Sequence, residues 1–236
     1  MLNIHTTCED TAFAPDVVVM RDALVPAMPQ GLEALLQPLA LPRRRLQRKQ
    51  ILFRAGQPCH SLFFVHAGFF KTCVLSEDGR EKITGFHLRG DLLGIDSFDM
   101  PTHACDAVAL DTGEVWELPL TMLRERNTDL LPVVTAVLAS ELRRDWRWML
   151  ALGTLNAEQR VATFLLDLAA RFTALGFSAR HVMLRMTRAE LGSFLALQLE
   201  TVTRALTRLA CSGMIEVGGK EILIKNPTAL RAMLTA

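Results

Sequence analysis

A chain of 236 residues, half of them apolar, is long enough to bury one large core or two modest ones and too apolar to be disordered. No stretch approaches about 18 consecutive uncharged apolar residues, which excludes a membrane-spanning helix; five scattered cysteines (Cys8, Cys59, Cys73, Cys105, Cys211) argue against a disulfide framework and fit a reducing compartment. The formal charge of +1 is unevenly spread: from Thr154 onward ten Lys and Arg face six Asp and Glu, whereas before it sixteen face nineteen, so an anionic partner would meet the C-terminal third.

Residues 1–30 read as an arm interrupted by Pro15, Pro26 and Pro29. The arm lacks the basic and apolar regions of a secretory signal, so a cytoplasmic protein without a membrane partner is expected. A short helix is predicted over Gly31–Leu39. From Leu41 to Leu118 short runs such as ILFRAG, SLFFVHAG, FKTCVL, ITGFHL and VWELP are separated by Gly, Pro and Asp, the signature of an all-β barrel or sandwich, and residues 31–122 are assigned to it. Ser76–Arg80, which contains Asp78-Gly79, is predicted as a hairpin tip.

The period then turns helical, and 123–153 is predicted as one long helix. Leu131, Thr135, Leu138, Leu142, Asp145, Met149 and Leu152 recur in alternating steps of four and three, the spacing that pairs two helices across a seam. The competing reading is a helix packed on its own domain. In a parallel homodimer Asp145 would face its twin, and like charges there would weaken association. A further helix is predicted over Asn156–Phe172, with Asn156 and Gln159 as a capping box, an apolar stripe of Val161, Phe164, Leu165, Leu168 and Phe172, and Gly176 as its stop.

From Thr187 two short helices follow. Thr187 and Glu190 form a capping box for the first, which runs to about Leu195; a turn at Ala196-Leu197 leads to the second, 198–212. With Leu191, Leu195, Leu199, Val202, Leu206 and Leu209 inward, Gln198, Glu200, Thr201, Thr203, Arg204, Thr207 and Arg208 face out, as in a helix-turn-helix whose second helix enters a major groove. Arg204 can give a bidentate pair of hydrogen bonds to guanine, Glu200 can accept from a base amino group, and Thr203 can meet thymine. Read alone, Glu200 and Arg204 are equally an (i, i+4) surface ion pair. Residues 214–224 are predicted as a two-stranded wing with Lys220 at its tip. Lys220, Arg188, Thr201 and Arg208 are the candidates for DNA phosphate contacts.

A barrel, a long helix and a winged helix-turn-helix, in that order, resemble the CRP/FNR superfamily of transcription regulators from about Leu41 on. The FNR branch is similar over Lys82–Asp96, Asn156–Phe172 and Leu195–Ile215. The resemblance implies an α+β fold: a cyclic-nucleotide-binding-like jelly-roll sensor, a dimerisation helix and a DNA-binding domain over 154–236. It implies a non-enzymatic homodimeric regulator, an activator, on double-stranded DNA with an inverted repeat. The branch's recognition pattern E-x-x-S-R appears here as Glu200, Thr203 and Arg204, with Thr for Ser, which implies a TTGAT-like half-site. Contacts with RNA polymerase are implied at the hairpin tip, Asp78, Gly79 and Arg80, where the plain alternative is a solvated turn.

The sensor departs from the family pattern. In the FNR branch a [4Fe–4S] cluster sits on three cysteines of the arm and one of the barrel; this arm offers only Cys8, and Trp116 stands at the barrel position, so no cluster is expected. Cyclic AMP is not expected either: Gly94-Ile95-Asp96 and Ala104-Cys105 replace the Gly-Glu and Arg-Ser pairs, and a buried phosphate without a cation is costly. Three modes remain: haem on His66, His87 or His103; oxidation of Cys211 beside the recognition helix; or no ligand at all, with output set by abundance and dimerisation. No Gly-rich phosphate loop, metal-spaced cluster or activated nucleophile points to an enzyme. A ligand-binding module whose helix-turn-helix contacts proteins is the alternative from another class.

Overall fold

The computed structural model describes residues 32–77, 79–125 and 130–234. The predicted arm with Cys8, and Asp78 at the hairpin tip, lie outside the described residues. Two four-stranded antiparallel sheets enclose the first core. One is ordered β1 (Arg43–Leu46), β8 (Gly113–Pro119), β3 (Ser61–Ala67), β6 (Leu92–Leu93); the other β2 (Ile51–Phe53), β7 (Asp106–Ala109), β4 (Phe69–Leu75), β5 (Glu81–Leu88). Period two explains the unbroken apolar text of β3. Phe63 and Val65 point into the barrel with Phe70, Leu93 and Val115, while Leu62 and Phe64 point outward into a second core beneath helices. The turn from β3 to β4 needs Gly68: its φ is +95°, and a Cβ there would sit 2.5 Å from Gly113 Cα.

The helices over that second core are α1 (Leu32–Leu36), extended by a 3-10 turn at Gln37–Leu39, α2 (Leu120–Glu125) and α3 (Leu130–Thr154). The helix predicted over 123–153 is therefore not one described element: α2 starts three residues earlier, 126–129 lie outside the described residues, and 25 residues run on from Leu130. Pro132 falls in the first turn of α3, where a missing N–H costs nothing. Leu130, Val134 and Val137 pack on the barrel with Leu32 and Leu36, and Trp148 and Ala151 pack on the C-terminal part. Among the described residues no helix is long and apolar enough to cross a membrane.

α4 (Ala157–Ala174) opens with the reciprocal Asn156–Gln159 capping box and buries Val161, Phe164, Leu165 and Leu168. It shares one continuous core with β5 of the barrel through Phe86, Phe164, Phe194 and Trp148. Buried charges tie the same junction. Arg171 of α4 donates to Phe86 O at 2.9 Å and pairs with Asp91, while Arg144 of α3 lies 3.7 Å from Asp167 and 3.6 Å from Glu141. Beyond it come β9 (His181–Met183), α5 (Arg188–Leu195), α6 (Leu199–Cys211), β10 (Ile215–Gly218), β11 (Glu221–Ile224) and α7 (Pro227–Ala232). The wing is three-stranded rather than the predicted two, because β9 pairs with the free edge of β11.

Candidate nucleic-acid interface

The first helix of the pair is set by its cap. Thr187 Oγ1 accepts from Glu190 N at 3.1 Å, and Glu190 Oε2 accepts from Thr187 N at 2.7 Å. Gly192 lets the turn fold back: Leu197 N donates to Gly192 O at 2.9 Å, and a Cβ on Gly192 would lie 2.6 Å from Leu197 O. Ala196 closes α5 in the left-handed region at φ +54°. α6 then buries Val202, Ala205, Leu206 and Leu209 against Leu191, Phe194 and Leu195. Leu199, expected inward, is 44% exposed. It occupies the first turn of α6, where a side chain leaning toward the helix N-terminus reaches past the packed face.

The remaining face of α6 presents Glu200, Arg204, Thr207 and Arg208 to solvent, with Thr201 and Thr203 half-buried. Arg204 Nη2 donates to Thr201 Oγ1 at 3.4 Å. Among the described residues no ion pair joins Glu200 to Arg204, so the surface-pair alternative is not what the geometry shows. Thr203 Oγ1 donates back to Leu199 O at 3.0 Å and accepts from Arg188 Nη1 at 3.4 Å, which brings Arg188 of α5 to the same face. Arg208 is engaged with Glu158 of α4 at 2.6 Å. Lys220 lies exposed in the turn between β10 and β11. Cys211, the last residue of α6, is exposed.

Residues that the pattern did not reveal fasten this unit to the barrel. Glu190 Oε1 lies 3.1 Å from Lys71 of β4, Ser193 Oγ accepts from Ile83 N at 3.0 Å, and Lys82 donates to Ser193 O. Burial would raise the Glu190 carboxyl, but the Thr187 and Lys71 hydrogen bonds outweigh it and hold it below the usual range. Period alone marks Glu190 as a cap; only the docked barrel shows its second oxygen at work.

Along α3 the seam residues Leu131, Leu138, Leu142, Asp145 and Met149 are exposed and Leu152 is half-buried. Trp146 and Leu150, outside the heptad reading, widen the stripe at 56% and 49% exposed. At the hairpin tip, Ser76 N donates to Arg80 O at 2.9 Å and Gly79 N to Ser76 O at 2.8 Å.

Between the barrel and α3 lies a cavity of about 400 Å³ lined by Gly94, Ile95, Asp96, Ala104 and Cys105 from one side and Leu138, Glu141, Leu142, Arg144 and Asp145 from the other. Arg144, the one Lys or Arg among the described residues lining it, is committed to Asp167 and Glu141. Burial pushes the Glu141 carboxyl up, and partial desolvation at the cavity wall raises that of the otherwise exposed Asp145. The buried thiols are raised as well, Cys59 and Cys105 by burial and by Asp96, Cys73 by burial and Glu81 to about 12. Trp116 is packed between His66, stacked at 4.5 Å, and Phe64. His87 shares a hydrogen bond with Thr72 Oγ1 at 3.0 Å, and His103 stacks on Phe53 at 3.8 Å. Among the described residues no group of three or more His, Cys, Asp or Glu is placed to hold a metal ion.

Two domain families match this architecture: a cyclic nucleotide-binding domain over residues 43–126 and a Crp-like helix-turn-helix domain over residues 159–233. The chain is 40% identical to the transcriptional activator protein anr of Pseudomonas aeruginosa, covering 80% of this chain and 79% of that one. It is 39% identical to the fumarate and nitrate reduction regulatory protein of Salmonella typhimurium, over 81% and 78% of the two chains. The solved structure of FixK2 from Bradyrhizobium japonicum superposes with a TM-score of 0.76 at 30% identity, covering 84% of this chain and 98% of that one. The two matching domain families lie in the order barrel then helix-turn-helix, FixK2 superposes over nearly its whole length, and the chain belongs to the CRP/FNR family of DNA-binding transcription regulators.

Proposed function

We propose that the chain acts as a homodimer that activates transcription from an inverted repeat with TTGAT-like half-sites, each read by one α6. One observation carries this reading: Arg204, Glu200 and Thr203 share the open face of a helix that packs its other face through Val202, Ala205, Leu206 and Leu209, and among the described residues no acid pairs with Arg204. Arg188 reaches that face, Lys220 stands exposed at the tip of the wing, and both supply charge for the phosphates. The exposed stripe on α3 supports self-association, since a monomer would leave Leu131, Leu142, Trp146 and Met149 in water. The hairpin tip around Gly79 and Arg80 is the surface offered to RNA polymerase. A cytoplasmic location agrees with this role.

Neither cyclic AMP nor a [4Fe–4S] cluster suits the sensor. A cyclic phosphate in the 400 Å³ cavity would meet Asp96, Glu141 and Asp145 with no spare Lys or Arg among the described lining residues, and a buried indole fills the position of the barrel thiolate. His66 stacks on Trp116, His87 shares a hydrogen bond with Thr72 and His103 stacks on Phe53, which supports a packing role for these three over haem ligation. Control by dimerisation, with Cys211 as an exposed thiol open to oxidation, fits these residues best.

Titration of purified protein onto a duplex carrying TTGAT and its inverted repeat, and onto the scrambled sequence, at two salt concentrations tests the reading. The specific site should bind at least a hundredfold tighter, and both affinities should fall as salt rises. Equal affinity for the two duplexes would remove the sequence-reading role.

A further inference from the structure

A second cleft, of about 640 Å³, opens between the barrel and the DNA-binding part and shares no lining residue with the cavity beside α3. Its floor is aromatic and aliphatic. Phe69 and Leu88 come from the barrel, Phe172 and Leu175 from the end of α4 and its cap, and Phe177 from the segment beyond. Phe172 meets Phe69 edge-on at 6.0 Å and Phe177 at 6.1 Å, yet Phe177 remains 63% exposed. A large ring held at that exposure beside two others is apolar surface without cover.

The rim carries two arginines and two histidines. Arg89 and His66 come from the barrel side, where Glu33 pairs with both, Arg185 and His181 come from the β9 side, and Asp111 is the one acid among the described residues lining the cleft. Arg185 Nη1 reaches Asp111 at 2.7 Å, across from the DNA-binding part to the barrel. Arg89 uses Nη2 on Glu33 at 3.0 Å. Each guanidinium carries five donors, so both forks keep N–H groups with no partner among the described residues. Apolar floor, two arginines and a volume in the range of small-ligand pockets at a domain boundary describe one chemistry.

We propose that this cleft binds a small organic acid with an aromatic or acyl body, its carboxylate held by Arg89 and Arg185 and its apolar body laid on Phe69, Phe172 and Phe177. Because the two walls belong to different parts of the molecule, the bound acid braces the DNA-binding part against the barrel. Its affinity is then reciprocally coupled to DNA affinity. That coupling rests on the DNA-binding role proposed above; occupancy of the cleft does not, and it is measured without DNA.

The full chain is titrated with the fluorescent sulfonate 8-anilinonaphthalene-1-sulfonate and with the neutral probe N-phenyl-1-naphthylamine, followed by displacement with decanoate or decanol. The variants are Phe177→Glu and Ala67→Trp, at exposed positions on opposite walls of the cleft, Arg89→Gln on the rim, and Ala104→Trp in the other cavity. Phe177→Glu and Ala67→Trp should each weaken the sulfonate at least tenfold. Arg89→Gln should weaken the sulfonate about fivefold and leave the neutral probe unchanged, Ala104→Trp should change neither, and decanoate should displace better than decanol. The proposal is overturned if the sulfonate does not bind saturably, if Ala104→Trp removes its binding while the two cleft variants keep it, or if Arg89→Gln weakens both probes equally.

Discussion

Replacing Arg204 with Ala separates base reading from folding, because the structure gives the side chain almost nothing to do within the protein. Its guanidinium makes one long contact, 3.4 Å to the half-buried Thr201, so the folding cost should stay within about 0.5 kcal/mol. On DNA the loss is of another order. A bidentate arginine–guanine pair is worth about 1–3 kcal/mol of discrimination, and a homodimer makes it twice, so about 2–6 kcal/mol is at stake. That range corresponds to an affinity loss between about 30-fold and 20,000-fold. The assay is fluorescence anisotropy at fixed salt on two duplexes, one with TTGAT and its inverted repeat and one with the guanine pair of each half-site replaced by adenine–thymine. The wild type should separate the two duplexes and Arg204→Ala should not. Arg204→Lys, which keeps the charge and loses the fork, should recover general affinity without recovering discrimination. If Arg204→Ala lost less than threefold on the specific duplex, or lost the same factor on both, the base-reading role would be wrong.

Other expectations follow from single contacts. Gly192→Ala pushes a Cβ to 2.6 Å from Leu197 O, so the turn must shift; a loss of about 1–3 kcal/mol in denaturant titration, with weaker DNA binding, is expected, and an unchanged midpoint would contradict it. Asp145→Ala should tighten the dimer about tenfold in sedimentation equilibrium at neutral pH, because it removes a carboxylate from the exposed stripe of α3; an unchanged constant would place Asp145 outside the interface. Burial pushes the His87 imidazole down to about 4, whereas the unfolded chain protonates it near 6.5, so stability is unaffected above about pH 7 and falls as pH drops from 6.5 toward 4. Between pH 7 and pH 5 the wild type should lose about 2 kcal/mol more than His87→Gln, and parallel losses would reject the assignment.

The helix-turn-helix was legible because its signals are local. A capping box at Thr187 and Glu190 and the apolar spacing of α6 place both helices within a residue or two of their observed ends, since caps and periodicity act over four residues or fewer. The same holds for Asn156 and Gln159, and for the alternation that marks the barrel strands. What the text of the chain could not contain is which surfaces meet. Leu199 has the period of a core residue and stands in water, and β9 joins the wing through a pairing decided by the open edge of β11. Lys71 reaches Glu190 across more than a hundred positions, and Arg171 reaches Asp91 across eighty. Local propensity fixes elements one turn or one strand at a time, whereas burial, ion pairing and clefts between domains depend on contacts whose partners are distant in sequence and are settled only when the cores close.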